Sequence, residues 1–287
     1  MIAMQGESGS RGGPTRMLTT LDVPALPVAH TRALAVLSDQ NAAVALLAQV
    51  IESDPSLTAA VLRAANAASS APISRIDSAH VAVVRIGLGP TRQLVVSAIA
   101  TRSFEHLDRA GLDVEELWRH QLATALVGHA LSAATTQLAD AGGDAFTAGV
   151  LHDVGRLSMA AQEPDRYREV ARLVHEGVEA MEAERRVFDL DHAEWGGHIS
   201  RAWQIPEPVS EAIESHHDAP TAGSLAAQIA DARRIVLSVG NGDGLLPGVE
   251  PAFPEREHDV FALARLGGVD GLFAQLEWYR GALDSAA

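Results

Sequence analysis

The chain is written almost entirely in one period. Apolar residues recur at i, i+3, i+4 and i+7, as at Ala33, Leu34 and Leu37 and then at Val44, Leu47, Ala48 and Ile51. No run alternates β-branched and polar residues as a half-buried strand would. That pattern predicts an all-α chain with no sheet. The punctuation agrees. Asp54-Pro55 starts a helix over 55–69, because the Asp side chain accepts from the free N–H groups of a first turn and proline has no N–H to waste there. Helices are expected at 78–86 and 90–104, divided by Gly87-Leu88-Gly89. Lying after a helix and lacking a third glycine, that triplet is a turn and not a phosphate loop.

Asp113 with Glu116 opens a further helix in capping-box style, running to about 139 and halted before Gly142-Gly143. Segments 144–161, 164–177, 191–203, 206–217 and 223–239 continue the helical period, and one or two helices over 260–282 finish the chain. NGDGLLPGVEPAFPEREHD, from 241, is dense in Gly and Pro and reads as loop. Residues 1–20 have no period and are expected to form a disordered tail.

Charge divides the molecule. Residues 1–110 carry nine Arg against eight acids, whereas residues 111–287 carry thirteen against twenty-nine, giving a net charge of −15. A surface so acidic is unsuited to neutralising duplex phosphates, so nonspecific DNA binding is not expected. Arg63, Arg75, Arg85 and Arg92 in the first part form either an anion-binding patch, for instance for a nucleotide ligand, or solvated helix faces. Every basic residue is Arg and none is Lys, which excludes lysine-dependent mechanisms; without cysteine there are no disulfides or thiolate metal sites. The longest uncharged stretch, 121–139, is membrane length but too rich in His, Ser, Thr and Gln to span a bilayer. No apolar segment of signal-peptide type lies near the start, so a cytoplasmic location away from membranes is expected.

Chemistry is concentrated in the histidines. Of twelve, several stand beside acids at helical spacings: Glu116 with His120, the doublet His152-Asp153, His192, the pair His216-His217, and then Asp231. Neutral imidazoles with carboxylates, one able to bridge, are the donors that Fe, Mn or Zn require in a thiolate-free site. Glu116 and His120, at i and i+4, share a helix face. His152 and Asp153 point about 100° apart, so both reach one ion only where several helices meet. The same residues are also consistent with a buried hydrogen-bonded network holding no metal, and His216-His217 with a favourable cation at a helix end. His30, His80, His106, His129, His175, His198 and His258 read as ordinary core or surface residues.

The order H, HD, H, HH, D resembles the HD metal-dependent phosphohydrolase superfamily. LWRHQLATALVGHAL, AFTAGVLHDVGRLSM and LDHAEWGGHISRAWQIPEPVSEAIESHHDAP are more narrowly similar to the HDOD family, HD-related output domains of bacterial signalling. The first part, with its LP start, VIESDPSLTAAVLRAANAASS and ISRIDSAHVAVVRIGLGPTRQLVVS, resembles the helical N-terminal part of HDOD domains, so the likeness covers about 21–239. It implies an N-terminal helical subdomain over 21–110, an HD-like bundle over 111–239, and a C-terminal helical appendage over 240–287. It also implies a regulatory role, with a signalling protein as partner and without catalytic turnover.

Compared with the related HD-GYP phosphodiesterases, the ligand pattern matches at Glu116, His120, His152, Asp153, His192, His216, His217 and Asp231. HHDAP stands where HHE and a Gly-Tyr-Pro turn would be, and Arg156 occupies the lysine position of HD-x-G-K. The alternative function is hydrolysis of a nucleotide or cyclic dinucleotide. In that case Asp153 and Arg156 take part in catalysis, Arg156 positioning a phosphate but unable to donate a proton.

Overall fold

A computed structural model describes residues 21–39, 42–67, 75–104, 107–135, 143–218, 221–246, 251 and 256–284. Among them are fifteen α-helices, one 3-10 turn and no strand, as the periodicity predicts. The chain begins with α1 (Val28–Ser38), α2 (Val44–Glu52), α3 (Pro55–Ala67), α4 (Ala79–Ile86) and α5 (Leu88–Arg102). After a 3-10 turn at Leu107–Ala110 come α6 (Val114–Thr135), α7 (Gly143–Leu151), α8 (Val154–Gln162), α9 (Pro164–His175) and α10 (Ala180–Phe188). The remainder is α11 (His192–Ala202), α12 (Glu207–Ser215), α13 (Leu225–Ser238), α14 (Glu257–Arg265) and α15 (Gly268–Leu283). The tail expected over 1–20 lies outside the described residues, as do the last residues expected for the helices over 55–69 and 113–139.

Helix α6 is the spine: it packs along α7 and α13, while α11 lies between α8 and α12, and α3 carries α4, α5 and α15. The helix starts follow the sequence chemistry. Asp54 Oδ1 accepts from Ser56 N and Leu57 N at 2.8 and 3.0 Å, and Asp113 Oδ1 accepts from Glu116 N at 2.9 Å.

Two departures shape the site. The single helix expected over 144–161 is two, broken at His152-Asp153, where Asp153 leaves helical geometry (φ −100°, ψ 17°) to begin α8. Tight packing accompanies the corner: a Cβ on Gly155 would sit 2.0 Å from the His192 carbonyl oxygen, so α8 and α11 approach as only glycine allows. The second departure is α10, which the sequence reading passes over. AMEAERRVF is highly charged, yet Glu179 caps it by accepting from Glu182 N at 3.0 Å, and only Ala183, Glu184 and Phe188 are buried.

Candidate metal centre

Six of the eight predicted residues meet where α6, the α7–α8 corner, α11 and the end of α12 converge. His120, His152, Asp153 and His192 are completely buried, His216 nearly so, and His217 is half-buried. One ligand atom from each of Asp153, His192, His216 and His217 lies within 4.8 Å of the others; His120, His152 and Asp153 form a second such group. Asp153 belongs to both. Its Oδ1 is 3.1 Å from His192 Nε2 and 3.8 Å from His216 Nε2, and its Oδ2 is 3.4 Å from His152 Nε2. His192 Nε2 and His217 Nε2 are 3.0 Å apart.

The outer nitrogens orient the rings. Nδ1 of His152 donates to Gly149 O at 2.8 Å and Nδ1 of His216 donates to Ile213 O at 2.7 Å, since a carbonyl can only accept. Nδ1 of His192 donates to Glu184 Oε2 at 2.6 Å. With Nδ1 protonated, a neutral ring turns its Nε2 lone pair inward, the orientation that metal-binding histidines take from their outer partners. His152 Nε2, His216 Nε2 and both His120 nitrogens are buried without a hydrogen-bond partner among the described residues. Orphaned ring nitrogens clustered this closely around a carboxylate fit a cation.

The surrounding charge says the same. Arg156, fully buried, lies 3.3 Å from Asp153 Oδ2, 3.6 Å from Glu184 Oε1 and 3.5 Å from Asp243 Oδ2. Tyr167 donates to Glu184 Oε1 at 2.6 Å. Three buried carboxylates thus face one guanidinium. Even with Arg233 Nη2 3.6 Å from Asp243 at the rim, a negative charge is left over while the imidazoles are neutral.

The titration of one ring, His192, reflects this imbalance, and that of the others reflects burial. Burial works against a charged His192, but Glu184 and Asp153 overcome it and raise its pKa to about 9. Burial, with the neighbouring His152, lowers His120 to about 3; burial, with His192 and Arg233, lowers His217 to about 2. His216 is also held well below its ordinary value, chiefly by burial and then by His217. Burial pushes the Asp153 carboxyl up, yet Arg156, His152 and His192 outweigh it and hold it well down. At neutral pH His120, His216, His217 and Asp153 are therefore in their ligating forms, whereas His192 holds a proton that offsets the surplus charge and that a bound cation would displace.

Glu116 and Asp231 stand outside both ligand groups. Glu116 Oε1 accepts from Gly242 N at 3.1 Å and so holds the segment after α13. Asp231 faces cations, 2.9 Å from Arg234 Nη2 and 3.7 Å from both Arg256 Nη1 and His258 Nε2. Sequence reasoning missed Glu184, on the overlooked α10, and Asp243, inside a stretch read only as loop. The GDG at 242–244 was the available signal: Gly244 has φ +76°, and a Cβ there would lie 2.6 Å from Leu117 Cβ, so glycine lets this turn press on α6 and carry Asp243 inward. Of the four arginines of the first part, Arg63 and Arg75 line one cavity, whereas Arg92 lines another. Arg63 donates to Ala282 O at 3.0 Å and Arg92 to Asp39 O at 2.7 Å.

Comparison with known proteins bears on the family and the fold. Residues 23–219 match the HDOD domain family. An uncharacterised protein of Treponema pallidum (strain Nichols) is 25% identical over 202 residues, which is 70% of this chain but only 39% of that protein. The solved structure of an HDOD domain protein of unknown function from Geobacter sulfurreducens superposes with a TM-score of 0.66 at 24% identity, covering 91% of this chain and 93% of that one. A Shewanella amazonensis SB2B protein, provisionally described as a metal-dependent phosphohydrolase, gives a TM-score of 0.58 at 19% identity over 92% and 93% of the two chains. At these identities the structural matches speak for the fold. Among the described residues no helix is long and apolar enough to cross a membrane. With the family match running over most of its length, the chain belongs to the HDOD family.

Proposed function

We propose that this is a regulatory HDOD protein, a binding or scaffold module of signal transduction, in which the His/Asp centre holds a divalent cation as part of the bundle and not as a catalyst. The observation that carries this reading is burial. His120, His152, Asp153, Arg156 and His192 are all 0% exposed and His216 is buried, so that of the six residues brought together only His217 is half-buried. Structural metal sites are closed, whereas catalytic ones keep a position open to water and substrate. Arg156, the side chain best suited to position a phosphate, is instead engaged with Asp153, Glu184 and Asp243.

Asp153, His192, His216 and His217, with His120 and His152 beside them, would hold the ion. A bound divalent ion could polarise a phosphoryl oxygen or acidify a water, and the imidazole and carboxylate donors suit that alternative, hydrolysis of a nucleotide or cyclic dinucleotide. The protein's own residues do other work: Glu184 fixes the His192 ring, Tyr167 fixes Glu184, and Arg156 offsets the carboxylates. Incubating protein loaded with Mn²⁺, Fe²⁺ or Zn²⁺ with bis(p-nitrophenyl) phosphate and with cyclic dinucleotides is expected to give no turnover above a matched Asp153→Asn variant. Turnover that Asp153→Asn abolishes overturns the scaffold reading in favour of the hydrolase.

A further inference from the structure

Gln121, one position beyond His120 on α6, is 1% exposed, and neither its amide oxygen nor its amide nitrogen has a hydrogen-bond partner among the described residues. Successive helical side chains diverge by about 100°, so Gln121 faces away from the His/Asp centre. It lines a cavity of about 560 Å³ between α5, α6 and α15. A buried amide left unpaired is costly, and a cavity of this size is typical of small-molecule sites. Beside Gln121 stand the half-buried indole of Trp118 and the apolar Leu122 and Leu276, surfaces that water alone does not favour. Nε of Arg102 and Nε of Arg119, two more lining residues, are also buried and unpartnered. The lining carries three Arg and three carboxylates, so it has no charge surplus to hold a phosphate.

We propose that this cavity binds a nucleobase-like ligand: an uncharged planar heteroaromatic with an amino donor beside a ring-nitrogen acceptor. The Gln121 amide, a donor and an acceptor side by side, pairs with that edge, as Gln does with adenine, while Trp118 offers a stacking face. The site does not depend on the cation. Because its walls come from α5, the bundle spine α6 and the last helix α15, an occupant touches all three, which suits an input to the regulatory module proposed above.

The test titrates adenosine into the full chain while following tryptophan fluorescence, with purine riboside and AMP in parallel. Saturable quenching by adenosine is expected, absent in Trp118→Phe. Affinity should be about tenfold or more weaker for purine riboside, which lacks the amino group, and for Gln121→Leu. Without ligand, Gln121→Leu should melt at or above the wild-type temperature, because an unpaired amide has been removed; if it fails to fold, Gln121→Met replaces it. The proposal is overturned if adenosine fails to saturate, if the Gln121 variant binds it as tightly as wild type, or if AMP binds more tightly than adenosine.

Discussion

The first five helices and the bundle that follows are cored with opposite materials. Around α1–α5 the buried side chains are Leu47, Ile51, Leu57, Val61, Leu94, Ile99 and many alanines, and the buried hydroxyls are satisfied nearby. Thr91 Oγ1 donates to Gly87 O at 2.7 Å, Ser97 Oγ to Gln93 O at 2.9 Å, and His30 lies 3.2 Å from Asp54. Such a core is stabilised by removing apolar surface from water, at roughly 25 cal/mol per Å². The bundle instead buries Asp153, Arg156, Glu184 and four histidines, and burying charges costs several kcal/mol per ion unless partners offset it. One region can be repacked with groups of similar volume; the other is held by charge balance.

The largest expected effect is from Arg156→Met. Removing the guanidinium leaves Asp153, Glu184 and Asp243 facing one another, and urea titration of the chelated protein should show a loss of about 3–5 kcal/mol. A near-neutral result would break the contrast between the two cores. Next is Leu57→Ala, at a fully buried position of α3, expected to cost about 3 kcal/mol as a cavity. That loss should be the same with and without chelator; dependence on the chelator would show that the two regions are not separable. Gly244→Ala is expected to cost about 2 kcal/mol, because alanine disfavours φ +76° and its Cβ meets Leu117 and the Asp113 carbonyl oxygen. Hydrogen exchange should localise the change to 241–246 and α6.

The smallest effect concerns α14. Burial pushes the Asp259 carboxyl up, but the hydrogen bonds from Arg234, at 2.7 and 2.8 Å, outweigh it and hold the folded pKa below its ordinary value. A depressed carboxyl pKa contributes stability above the unfolded value of about 3.9 that is lost as pH falls through the folded one. The difference in urea midpoint between wild type and Asp259→Asn should therefore be present at pH 7 and shrink below about pH 4. A difference that grows in acid would contradict the ion pair.

Much of this was legible in the sequence, and the exceptions share a cause. Periodicity and caps locate helices where one face is apolar, which is why α2, α3 and α6 are found. They fail at α10, whose inward face is Ala183, Glu184 and Phe188, because the buried Glu184 counts as polar in any periodic reading. They fail again at His152-Asp153, where helical spacing continues through a break imposed by tertiary packing. His120, His152, Asp153, His192, His216 and His217 were readable as a set because their residue types are unusual in a core. Glu184 and Asp243 were not, since a carboxylate's role depends on which cation faces it, and Arg156 is 28 and 87 positions away respectively.

The central claim, that the surplus negative charge and the orphaned nitrogens are there for a cation, is tested most directly by elemental analysis of protein purified without chelator. At least one equivalent of Mn, Fe or Zn per chain is expected, absent from Asp153→Asn. Removing it with EDTA should lower the melting temperature, since a ligand specific to the native state stabilises it by about 2.7 kcal/mol at 100 times its Kd. Metal-free protein that gains no ion on dialysis against each metal, and melts at the same temperature with and without EDTA, would contradict the claim and leave the centre as a hydrogen-bonded network alone.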